Sequence, residues 1–119
     1  MRKKIITTIN DLKEKNKTTS ETTAIVNKNK IAYITKNAKE QLKINQNNII
    51  FKRENEEFIH IINFTEGKTI PTNYHLKEND LDIEININTK SIKIEEDRII
   101  INYKVIESDN DYEFIIEMR

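Results

Sequence analysis

Hydrophobic and polar residues alternate with a period of two along much of the chain, most clearly in Leu81-Asp82-Ile83-Glu84-Ile85-Asn86-Ile87-Asn88-Thr89. Successive side chains of a strand point to opposite faces. The segment therefore predicts an antiparallel strand with its aliphatics on a buried face and its acids and amides in water. After Lys90-Ser91 the apolar positions move from odd to even numbers, at Ile92 and Ile94, which predicts a β-bulge or bend inside one long strand. Residues 98–107 repeat the alternation through Ile99, Ile101, Tyr103 and Val105, and residues 112–118 through Tyr112, Phe114, Ile116 and Met118. Between these runs, Glu95-Glu96-Asp97 and Ser108-Asp109-Asn110-Asp111 have the short polar side chains of hairpin turns, so the last third reads as a three-stranded meander.

Upstream, strand-like runs fall at about 3–13, 18–27, 30–36, 40–45, 49–54 and 58–65, separated by polar breaks that each contain Asn. The chain holds one Gly and one Pro. Asn, which tolerates positive φ, is therefore expected to take the place of glycine in the turns. Gly67 and Pro71 bracket what reads as an irregular connection into 73–78, and 38–42 is the one weak helical candidate. Short strands at this spacing, with no convincing 3.6-residue period, predict an all-β fold. The connections look like successive hairpins, and closure removes the exposed edges that a meander leaves. The expected architecture is a single antiparallel up-and-down β-barrel of about eight strands, with a Greek-key β-sandwich as the alternative. At 119 residues the whole chain, 1–119, suits one domain.

Several of these segments, taken in order, carry a resemblance. Leu42-Lys43-Ile44, a turn, Ile49-Ile50-Phe51-Lys52-Arg53, Phe64-Thr65-Glu66-Gly67 and Tyr74-His75-Leu76 come first. Leu81-Asp82-Ile83-Glu84-Ile85, Thr89-Lys90-Ser91-Ile92, an acidic turn and Ile99-Ile100-Ile101-Asn102-Tyr103 follow. This succession resembles the YwiB-like family of small bacterial proteins. The resemblance implies a calycin-like, lipocalin-shaped β-barrel and supplies no catalytic residues. The chain departs from that pattern in its turns: glycines expected before Leu81 and near Asn47 and Asn55 are replaced by Asn or Asp.

Composition narrows the chemistry. The absence of Cys removes disulfides, thiolate metal sites and Cys nucleophiles, and fits a reducing cytoplasm. Lys plus Arg and Asp plus Glu are 20 each, so no global field draws the chain to nucleic acid or to a membrane surface. Lys52, Arg53, Lys68, Lys77, Lys90 and Lys93 alternate with acids rather than with aromatics, which argues further against a nucleic-acid face. The basic start Arg2-Lys3-Lys4 leads into a run broken by Thr7 and Thr8, read as a strand and not as a signal peptide. No window approaches the roughly 18 apolar residues of a membrane helix. The expectation is a cytoplasmic protein. The abundance of Ile, Asn and Lys has the look of AT-rich coding, as in low-GC bacteria.

Motifs for catalysis are missing. Gly67-Lys68-Thr69 mimics the end of a phosphate loop, but Ile62 stands where its first Gly belongs and Pro71 where a helix must begin. His60 and His75 are the only imidazoles, without a helical His pair, so no metal site is expected. His60 is in phase with Phe58, Ile62 and Phe64 and reads as a core or rim residue, whereas His75 is expected at the surface. Ser20, Ser91 and Ser108 lack a nucleophile elbow. Asp82 and Glu84 belong to a solvated sheet face, and the sequons at Asn16 and Asn63 have no secretory signal to give them meaning. Neither an enzyme nor a cofactor is expected.

What remains is the barrel interior. Ile83, Ile85, Ile87, Ile99, Ile101, Phe114 and Ile116 are predicted to face inward, with Tyr33, Arg53, Tyr74 and Tyr103 adding polar groups in the lumen or at its mouth. That mixture is the usual recipe for a small-molecule site, here for a small, mostly apolar ligand. The alternative is a solid core with an outer face that binds a protein partner or a second copy. That face would draw on Ile50, Ile59, Ile61, Ile100, Ile106 and Ile115, which are out of phase with the core.

Overall fold

The structure is a computed structural model that describes residues 1–119. It has ten strands and no helix. They are β1 (Arg2–Asp11), β2 (Asn16–Asn27), β3 (Lys30–Ile34), β4 (Lys39–Ile44) and β5 (Ile49–Glu54), then β6 (Phe58–Phe64), β7 (Thr69–Leu76), β8 (Leu81–Ile94), β9 (Arg98–Val105) and β10 (Asn110–Met118). Every strand pairs antiparallel with its neighbours in sequence, and β1 pairs with β10 from Ile5↔Met118 to Asp11↔Tyr112, closing the barrel. The up-and-down order replaces the Greek-key alternative. No helix long and apolar enough to cross a membrane is present.

There are ten strands rather than about eight: each strand-like run forms a strand, and the segment after Gly67, read as an irregular connection, is a further one. The 38–42 stretch belongs to β4, where Leu42 lies between Ile31 and Phe51 in register. Pairing on both sides overrides its weak helical preference. The segment after Gly67 is β7, which pairs with β8 along its whole length, from Thr69↔Asn88 to Leu76↔Leu81. With β6 it pairs only through Phe58↔Leu76, Ile59↔His75 and His60↔Tyr74. Pro71 is tolerated because β7 has a strand neighbour on one side only at that height. The predicted bulge is present, as a register shift between Thr89 and Ser91.

The turns follow a different logic from the one expected. Positive φ occurs at Gly67 (80°) and at Lys15 (58°), Asp80 (49°) and Asp109 (56°), and at no Asn. Asp80 does stand where a glycine was expected before Leu81. Asn acts instead through its side chain: Asn55 Oδ1 accepts from the N–H groups of Glu57 (2.8 Å) and Phe58 (3.0 Å), an Asx turn that needs no left-handed residue.

Because the chain runs up and down, successive turns fall at opposite ends. One half of the lumen is filled by its own side chains: Ile5, Ile31, Leu42, Phe64, Ile101 and Ile116 are fully buried and belong to one cluster. Phe51 packs on Phe114 with ring centroids 5.1 Å apart. The other end, bounded by the turns at 12–15, 35–38, 55–57, 77–80 and 106–109, is open. There the inner-face residues Leu81 and Ile83 remain 49% and 43% exposed.

Candidate functional site

Polar residues gather at the open end through strand register. Tyr33 on β3 faces Glu40 on β4, Glu40 faces Arg53 on β5, Arg53 faces His60 on β6, and His60 faces Tyr74 on β7. All five are in phase with core residues on their own strands: Tyr33 with Ile31, Glu40 with Leu42, Arg53 with Phe51, His60 with Ile62 and Tyr74 with Thr72. The result is one inward-facing row across five strands. A second row on the far wall runs Tyr103↔Tyr112↔Asp11 over β9, β10 and β1. Tyr103 stacks on Tyr112 at 5.4 Å and reaches down to Phe64 at 5.0 Å, so the second row rests on the packed half.

At the centre of the first row, Arg53 Nε donates to Glu40 Oε2 at 3.0 Å, with side chains 31% and 10% exposed. Arg53 makes no other hydrogen bond within the protein, and the Glu40 carboxylate also lies beside the Tyr33 hydroxyl. The Arg53 guanidinium also lies 5.7 Å from the centre of the Phe58 ring, which stacks on Tyr74 at 4.9 Å. The His60 ring meets Tyr74 edge-on at 5.1 Å. Burial and then the Arg53 cation push the His60 pKa down to about 4, so the imidazole is neutral at pH 7. Burial, with the Glu40 carboxylate beside it, raises the Tyr33 hydroxyl well above the usual phenol range. Tyr103 is raised in the same way by burial and by Tyr112.

Two polar atoms of this row are buried without a partner, the Tyr33 hydroxyl and His60 Nε2. Tyr33 as a whole is 4% exposed. A cleft of about 410 Å3 on the outer surface borders the row from the side, lined chiefly by outward-facing residues such as Ile34, Lys39, Gln41 and Lys52 and touched by Tyr33 and Glu40. It exists because β2 pairs with β3 only through Ile25, Val26 and Asn27, while its pairing with β1 extends from Asn16 to Ile25. The strands part beyond Ile25, and a single hydrogen bond from Thr22 Oγ1 to the Ile34 carbonyl (3.0 Å) spans the gap.

The structure thus brings Tyr33, Arg53, Tyr74 and Tyr103, four residues singled out from the sequence, to one end of one lumen. The expected apolar lining divides. Ile87, Ile99, Ile101, Phe114 and Ile116 are buried in the packed half, while Ile85 is half-buried and Ile83 stands at the rim. Glu40 was not foreseen, although a carboxylate in phase with Ala38, Leu42 and Ile44 was the signal for it. His75 is half-buried at the outer rim, where Nδ1 meets Asp82 at 2.8 Å and Nε2 meets Asp80 at 3.6 Å. Ser20, Ser91 and Ser108 hydrogen-bond neither histidine. The outer isoleucines form two sets. Ile50, Ile59 and Ile61 share a surface cleft with Ile70 and Pro71, whereas Ile100 and Ile115 face each other across β9 and β10; Ile106 is exposed in the turn after β9 and belongs to neither.

Fold and site together define a closed, ten-stranded, up-and-down β-barrel with a packed floor and a polar-aromatic mouth. The solved structure of the YwiB protein from Bacillus subtilis has the same fold: TM-score 0.70 over 99% of this chain and 89% of that one, at 17% sequence identity. The resemblance read from the strand segments therefore holds at the level of fold. No family model and no curated protein matches the chain.

Proposed function

We propose that this chain is a non-enzymatic small-molecule-binding barrel whose ligand sits in the mouth, against the row from Tyr33 to Tyr74. The unpartnered Tyr33 hydroxyl and His60 Nε2 carry the reading. Native structures leave few such atoms unsatisfied, and each costs about 1–3 kcal/mol. Both atoms are closed off from solvent in the resting mouth, so a ligand recovers that energy by displacing the side chains that cover them. Its apolar part rests on Phe58, Tyr74 and the exposed Ile83, so the ligand is a small amphipathic molecule with a polar head. Outward-facing Lys43, Lys52, Lys93 and Lys104 are opposed to a lipid-facing band and support a water-filled compartment such as the cytoplasm.

Native mass spectrometry of the gently purified protein, followed by denaturing extraction, tests this. A stoichiometric small-molecule adduct that is lost in Arg53→Met is the expected result, and an adduct retained in that variant overturns the location. A clean unliganded mass for freshly isolated protein, together with dimeric charge states, favours the second reading. In that reading the outer apolar cleft of about 560 Å3 around Ile50, Ile59, Ile61 and Ile70 binds a protein partner or a second copy.

A further inference from the structure

Resting on the mouth as a binding site, the geometry points to a ligand head of one chemical class: a neutral group with a hydrogen-bond donor and acceptor side by side, as in a carboxamide. Arg53 uses only Nε on the protein and leaves both Nη groups free as donors. Glu40 meets Arg53 through Oε2 alone and keeps acceptor capacity, which the neighbouring Tyr33 hydroxyl shares. The ion pair therefore presents a donor edge next to an acceptor, the complement of a group that accepts through C=O and donates through N–H. The Tyr33 hydroxyl and His60 Nε2, one on either side of the pair in the same row, are the two polar atoms still unmatched.

Charge argues the same way. Glu40 and Arg53 cancel, and His60, Tyr33 and Tyr103 are neutral at pH 7. On the facing wall Asp11 keeps its negative charge, but its oxygens are engaged by its own turn: Oδ1 accepts from the N–H groups of Lys13 and Glu14, and Oδ2 from the Asn110 amide, each at 3.1 Å. An anionic head on Arg53 must lie against Glu40 Oε1, and a cationic head on Glu40 against the Nη groups. Either leaves a partly buried charge uncompensated, which low-dielectric surroundings penalise. A neutral donor–acceptor head meets both edges without that penalty.

Benzamide, benzoate and benzamidine share one ring and differ in head charge, so titrating each into isotope-labelled protein by NMR separates the alternatives. Benzamide is expected to shift the resonances of Tyr33, Glu40, Arg53 and the His60 ring, and to bind at least about tenfold more tightly than either ion. In Glu40→Gln, Arg53 loses its counter-charge and the preference is expected to move to benzoate. Unchanged signals from Ile101 and Phe114 in the packed half confirm that this variant is folded. Equal or tighter binding of benzoate or benzamidine at the wild-type mouth overturns the ligand class and leaves the binding site standing. No response at the mouth to any of the three overturns both.

Discussion

The packed floor and the open mouth of this barrel are built from the same strands, often from residues two apart, yet they solve different problems. On β5, Ile49 and Phe51 are buried and apolar, and the next inward position is Arg53. On β6 the inward positions from floor to mouth are Phe64, Ile62 and His60. Branched aliphatics at the floor interlock and exclude water, and this supplies the stability. At the mouth the same phase of the same strands carries charge and hydroxyls that nothing in the protein fully satisfies. The backbone follows the division: the left-handed Lys15, Asp80 and Asp109 all lie in mouth turns, whereas the floor turn at 65–68 places Gly67 where φ is positive. Stability is concentrated at one end, and the other is left free to hold something else.

The largest expected effect tests that division directly. Phe64→Ala, at the junction of the core with Tyr103, is expected to cost about 3–5 kcal/mol in denaturant unfolding, whereas Tyr74→Ala at the mouth costs about 1–2 kcal/mol. Equal losses would mean that the mouth is as structural as the floor. Next is the ion pair. Arg53→Met leaves Glu40 without its counter-charge in a side chain only 10% exposed, and the loss, reduced because Arg53 is partly solvated, is expected at about 2–3 kcal/mol. The double variant Arg53→Met with Glu40→Leu is expected within about 1 kcal/mol of the parent, because removing both charges removes the desolvation cost as well. A double variant as weak as the single one assigns the pair to stability rather than to recognition.

The smallest effect is in pH. The His60 pKa is depressed from 6.5 to about 4 in the folded chain, so below pH 6.5 the unfolded state takes up a proton that the folded state refuses. Stability from this group is complete above pH 6.5, declines as the pH falls toward 4 and levels off below that. The contribution, discounted for a partly solvated ring, is on the order of 1 kcal/mol. His60→Gln is expected to flatten unfolding midpoints between pH 6.5 and 4 relative to the parent. A variant with an unchanged slope places the imidazole in water and removes it from the row.

Much of the barrel was legible because period-two alternation reports one buried face directly. The run from Leu81 to Ile94, its bulge, the acidic turn after it and the final hairpin all follow from that rule. Pro71 and the 38–42 stretch misled for the same physical reason: local preference is weak beside pairing, and which flank of a strand is paired is not a local property. The turns misled differently. At Asn55 the side chain hydrogen-bonds the backbone, and Asp11 and Thr35 do the same in their own turns, which removes the need for positive φ there. Tyr33, Arg53, Tyr74 and Tyr103 could be picked out as polar groups in an apolar phase, but their common end could not.

The sequence by itself determined most of the strands, their buried faces and the class of fold, because side-chain alternation and hairpin turns are properties of a few consecutive residues. Only the tertiary structure decided register and closure, since these depend on contacts between residues far apart in the chain. Register set Tyr33, Glu40, Arg53, His60 and Tyr74 side by side on five strands, and the short pairing of β2 with β3 opened a cleft beside them. A shift of one residue in any of those pairings would have turned a member of the row out into water.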